Sequence, residues 1–161
     1  MGSYIRVAGL NGFEELVRSY GQDPINILDK VGLKPSMARE PNSLIDHDRY
    51  TNLLELAGIV CNEECFGLKL GAKQSIQTIG LIGVYMSKQR DIAQALLVAQ
   101  KYIYIHAESF IFQVNEVSDK LCELDVVRQN TQNIDRAQKS QLSICLICNV
   151  LTDLISPTWR P

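Results

Sequence analysis

The side chains with the most chemistry on offer are five cysteines and two histidines, spread through 161 residues. Cys145-x-x-Cys148 has the spacing of a metal-binding or redox pair. Cys61-x-x-x-Cys65 offers a second pair, and four thiolates would suffice for a structural zinc site. A redox pair needs its first thiol at a helix N-terminus, where the dipole lowers the thiol pKa. Cys145 and Cys148 instead sit inside an apolar run, so they read as packed, reduced thiols. No metal ligand and no cofactor is assigned.

His106 ends a stripe of apolar residues. A histidine there can pack at a helix C-terminus, titrate near neutral pH, bond to a small ligand or hold a haem. Tyr102, Tyr104, Phe110 and Phe112 surround it in sequence and form the densest aromatic cluster. Aromatic walls with a few polar tips build ligand pockets, and they also build cores. Tyr102, His106 and Phe112 are therefore the candidate ligand-binding residues. Catalytic sets are missing: the sequence holds no Gly-rich phosphate loop, no Gly-x-Ser-x-Gly and no His-Glu-x-x-His. Glu14-Glu15 and Glu63-Glu64 are sequential pairs that point different ways on a helix. Only His47 and His106 could serve as ordinary bases. The expectation is a protein that is not an enzyme.

The elements that position these residues follow from periodicity. Phe13, Leu16, Val17 and Tyr20 have helical spacing, and Gly21 ends the run. Asp23-Pro24 reads as a cap and first-turn proline for a helix closed by Gly32. Lys34 to Ser43 reads as loop. Asp46 or Asp48 caps a helix through Tyr50, Leu53, Leu54, Ala57 and Val60. Cys65 to Gly71 is a short helix, and Gly80 and Gly83 mark a close approach or a turn. Asp91 opens a helix with Ile92, Leu96, Ala99, Ile103 and His106 on one face. The period then changes to two. Phe110 to Val114 and Leu121 to Val127 form a β-hairpin about a turn at Asn115 to Asp119. Asn133 caps a long last helix that runs to about Ile155 and stops before Pro157. From Leu142 to Leu151 that helix is apolar nearly all round, so it is buried on several sides or meets a partner chain. Leu142, Leu146 and Val150 are the candidate dimer-interface residues. The fold class is α+β: several helices on a small antiparallel sheet, with a long C-terminal helix.

Composition limits the function classes. Hydrophobic residues make up 46% and charged residues 21%, and the net charge is −2. The basic residues are scattered, so no surface is expected to displace counterions from nucleic-acid phosphates. No stretch reaches the length of a membrane span, and the odd cysteine count without an export signal suits the cytoplasm. Residues 1–9 read as a tag remnant or flexible N-terminus, and 10–161 as one regulatory domain.

A series of segments then gives a resemblance. In order they are Gly12-Phe13-x-Glu15-Leu16-Val17, Gly21-x-Asp23-Pro24, Leu28-x-x-Val31-Gly32-Leu33, Leu53-Leu54-Glu55-x-Ala57 and Cys65-Phe66-Gly67-Leu68-x-Leu70-Gly71-x-x-Gln74. Ile79-Gly80-Leu81-Ile82-Gly83, the Ala95-Leu96 helix with Tyr102 and His106, and Pro157-x-Trp159-x-Pro161 complete the set. The chain resembles the N-terminal effector domain of AraC-type bacterial transcription regulators, the one often labelled arabinose-binding. The resemblance implies a domain that senses a small-molecule effector, self-associates as a homodimer, or both. It implies that DNA binding resides in a C-terminal helix-turn-helix region beyond Pro161, so that the domain is C-terminally incomplete here. A ligand-free dimerisation module, or a haem or metal sensor using His106 or the cysteines, are the alternatives.

Overall fold

The computed structural model describes residues 3–108, 110–118, 121–128 and 136–160. The chain opens with strand β1 (Tyr4–Arg6) and a 3-10 turn (Val7–Leu10). Helices α1 (Phe13–Ser19), α2 (Pro24–Lys30) and α3 (Pro35–Ala38) follow, then strand β2 (Leu44–Asp46) and helix α4 (His47–Val60). Next come α5 (Phe66–Gly71), a 3-10 turn (Ile76–Ile79), α6 (Leu81–Ser87) and α7 (Ile92–Tyr102). The hairpin is β3 (Phe110–Ser118) with β4 (Leu121–Arg128), and α8 (Ala137–Ile155) closes the fold. The fold is α+β, with two small antiparallel sheets and a long C-terminal helix. Among the described residues, no helix is long and apolar enough to cross a membrane.

Most predicted boundaries are set by local chemistry. The Asp23 carboxylate accepts from Ile25 N at 2.9 Å, Asp46 accepts from Asp48 N and Arg49 N at 3.1 and 3.0 Å, and Asp91 accepts from Gln94 N at 2.9 Å. Each satisfies orphan amides of a first helical turn. Gly21 and Gly32 take positive φ at the ends of α1 and α2, where a side chain would be strained. Gly83 is a close approach, since a Cβ there would lie 2.1 Å from the Ile76 carbonyl oxygen.

Three expectations meet a different structure. The segment read as a tag remnant or flexible N-terminus is structured from Tyr4 onward. Ile5 and Val7 are buried, and β1 pairs with β2 in the register Ile5–Ile45. Three residues with one buried side chain are too short to show a period, so the sequence pattern is silent there. Lys34 to Ser43 contains the helical turn α3, started by Pro35. The hairpin turn does not begin at Asn115: β3 continues to Ser118, with Asn115 opposite Glu123 and an irregularity between Glu116 and Ser118. Polar residues at the tip of a two-stranded ribbon are solvated, which imitates a turn in composition. The predicted cap Asn133 lies outside the described residues.

The core has two parts. One gathers β1, α1, α2, α4 and α5 around Phe13, Phe66, Leu53 and Leu54. The other gathers α6, α7, the hairpin and the second half of α8 around Met86, Leu96, Phe112 and Val150. Helix α8 serves both: Leu142 belongs to the first, and Leu146 and Val150 to the second. The N-terminal end of α8 is fastened to α4 and α5 by Gln138. Its side chain accepts from Gly67 N at 2.8 Å and donates to the Glu64 carbonyl at 3.0 Å, and its own N–H reaches Glu55 at 2.9 Å.

Candidate functional site

A cavity of about 90 Å³ lies where the two cores meet. Helix α7 supplies Leu96 and Ala99, the hairpin supplies Phe110, Phe112 and Val126, and α8 supplies Leu142, Leu146 and Val150. Ile5, Gly9 and Tyr50 close it from the first core, and Ile79 and Met86 from the second. The register puts Phe112 opposite Val126 on one rung, so both strands of the hairpin contribute.

His106 borders this cavity. It does not continue the helical stripe: α7 ends at Tyr102, and a 3-10 turn (Ile103–Ile105) carries the chain to it. It is held by its backbone, whose carbonyl accepts from Arg6 N at 2.9 Å and whose N–H donates to the Ile103 carbonyl at 2.9 Å. Ile5 bridges to Ala107 beside it, so β1 is what fixes the histidine in place. His106 is 7% exposed, and its Nδ1 is buried with no hydrogen-bond partner among the described residues. Burial, helped by the positive charge of Arg6, pulls its pKa down to about 4. The imidazole is therefore neutral at physiological pH, not poised to titrate there.

Of the three predicted ligand-binding residues, His106 and Phe112 meet at the cavity and Tyr102 does not. Tyr102 packs against Tyr85 of α6 with ring centroids 6.1 Å apart, and Lys101 Nζ sits over the Tyr102 ring at 5.2 Å from its centroid. Tyr104 is exposed. Leu142, Leu146 and Val150, expected at a dimer interface, are buried within this chain and line the cavity. Their spacing puts them on one face of α8, where Leu142 packs in the first core and Leu146 and Val150 pack in the second, which also holds Phe112 of the hairpin.

The sequence reading missed Lys139, Tyr50 and Gly9. Lys139 is 1% exposed, and its Nζ lies 4.3 Å from the Phe110 ring centroid. A signal existed: Lys139 stands three residues before Leu142 on the same helical face. Tyr50 is buried with its hydroxyl donating to the Gly9 carbonyl at 3.1 Å, and burial drives its pKa well above the usual phenol value. Gln74 donates to the same carbonyl at 2.7 Å. The cysteine pairs do not assemble. Among the described residues no group of three or more His, Cys, Asp or Glu is placed to hold a metal ion. The thiol of Cys145 is pushed up by burial, the opposite of an activated thiolate. A cavity of about 90 Å³ is also far too small for a haem macrocycle.

An α+β domain of two cores, joined through one long helix with an apolar cavity at their seam, is the class that fold and site define. The family model described as the arabinose-binding domain of AraC transcription regulator, N-term, matches residues 21–161, and the chain belongs to that family. It is also similar to the HTH-type transcriptional regulator VirS of Mycobacterium tuberculosis, from strain CDC 1551 / Oshkosh and from strain ATCC 25618 / H37Rv. Identity to each is 23% over 118 residues, covering 73% of this chain and 35% of the relative. The chain thus spans about a third of the length of the curated relatives it matches.

Proposed function

We propose that this chain is the effector-sensing domain of a bacterial, cytoplasmic AraC-type regulator, with no catalytic activity of its own. DNA contact belongs to another part of the regulator. The observation that carries the reading is the cavity at the seam of the two cores, bordered by a buried histidine whose Nδ1 has no partner among the described residues. An unsatisfied buried polar atom is costly unless a partner visits it. A small molecule in the cavity would touch α7, the hairpin and α8 together. It would favour whichever arrangement of α8 against the hairpin binds it better, and it shifts the regulator only by that difference in affinity. Thermal-shift screening of small metabolites on the folded chain tests this. Ligands that raise Tm and lose their effect when the cavity is filled support it, and silence across a broad panel overturns it.

A second reading, a ligand-free homodimerisation module, is favoured by the open face of α6, where Leu81 is 85% exposed and Val84 and Tyr85 are also exposed. Sedimentation that gives a monomer at high concentration would sink it.

A further inference from the structure

The walls of the cavity constrain what can fill it. They are hydrocarbon almost throughout, and the polar side chains on the border are His106, Lys139, Ser143 and Tyr50. The Tyr50 hydroxyl is committed to the Gly9 carbonyl. Lys139 lies over the Phe110 ring. His106 keeps a buried Nδ1 that has no partner among the described residues. A neutral imidazole nitrogen makes one hydrogen bond, as donor or as acceptor.

A ligand leaving water needs its own polar groups satisfied in the same way. A sugar brings a hydroxyl on nearly every carbon, and this wall would leave most of them without partners. A cationic head would face the Lys139 ammonium in a medium of low dielectric. We infer that the effector is a small, mostly hydrocarbon molecule with a single oxygen head that hydrogen-bonds His106, and that it is not a sugar. This rests on the reading of the cavity as the effector site. The family's label names arabinose, but the lining does not suit a pentose.

Size sets the scale of the molecule. The cavity is about 90 Å³, and a hydrocarbon-lined cavity of about 150 Å³ takes up benzene. The cavity here is the smaller of the two, so a short chain or a single ring would enter by pressing the hairpin away from α8.

Calorimetric titration and thermal shift of the chain test this with phenol, 1-hexanol and hexanoate as headed probes. Toluene serves as the headless probe, and L-arabinose and D-ribose as sugars. Leu146→Trp fills the cavity, with Val150→Phe as a second filling variant should the first fail to fold. His106→Phe removes the head's partner. The headed probes are expected to bind, and to lose binding in the filled variant. His106→Phe should weaken them about tenfold, the size of one hydrogen bond, while leaving toluene unchanged. Preference for the hydroxyl supports the inference, and hexanoate that outbinds 1-hexanol and ignores His106→Phe would overturn it. Sugars that bind the chain and are lost on filling would overturn the inference while upholding the cavity as effector site. Headed probes that bind no better than toluene and ignore His106→Phe would overturn it as well. Silence of every probe on the folded chain would overturn the effector-site reading and this inference with it.

Discussion

The Gln138 side-chain oxygen accepts a hydrogen bond from the Gly67 amide at 2.8 Å, and this contact seats the first turn of α8 on α5. The backbones meet so closely that a Cβ on Gly67 would lie 1.9 Å from the Gln138 carbonyl oxygen. Neither helix has room to yield, because the blocking atom is backbone. Gly67→Ala should therefore displace α8 and destabilise the fold by about 3 kcal/mol, the upper range for overpacking. Urea unfolding followed by circular dichroism measures it. A loss below about 0.5 kcal/mol, the scale of ordinary surface substitutions, would show that the two backbones are not in contact.

Gln138→Ala tests the same junction from the other side. It strips the buried Gly67 N–H of its acceptor and the Glu64 carbonyl of one donor. The expected loss is about 2 kcal/mol, that of stranding a buried donor. Gln138→Glu keeps the acceptor but removes the donor, so it should fall between the two in the same unfolding series.

The pH response of the domain should carry the signature of His106. Its folded pKa is depressed to about 4, whereas the unfolded residue titrates near 6.5. Between those values the unfolded chain binds the extra proton. Stability is thus full above about pH 6.5 and declines as pH falls to about 4, by up to about 3 kcal/mol from this residue. His106→Gln should flatten that part of the profile. Identical slopes for the two proteins over this window would refute the assignment of a buried neutral histidine.

The two faces of α8 should respond oppositely to truncation. Leu142 is 4% exposed, and Leu142→Ala should cost about 2–5 kcal/mol as a core cavity. Ile144 is 61% exposed, and Ile144→Ala should change stability by less than about 0.5 kcal/mol in the monomer. Concentration-dependent destabilisation by Ile144→Ala, in thermal melts across a dilution series, would instead reveal a partner on that face.

The sequence by itself determined the helices whose ends carry their own chemistry. Asp23, Asp46 and Asp91 cap within three residues of themselves, and Gly21 and Gly32 stop their helices through positive φ. These are local events, and local pattern reads them. The alternation of the hairpin and the apolar character of α8 were legible for the same reason. Only the tertiary structure decided what covers each face. Leu142, Leu146 and Val150 form a stripe that suits a partner chain or a core equally well, because burial of hydrocarbon is non-directional. Within this chain, Leu142 is buried in the first core and Leu146 and Val150 in the second, a placement that no local period specifies. Likewise, nothing near Ile5 in sequence announces that β1 will bridge to Ala107, about a hundred residues away, and hold His106 at the cavity. A three-residue strand takes its stability from long-range pairing, so it leaves no period of its own to read.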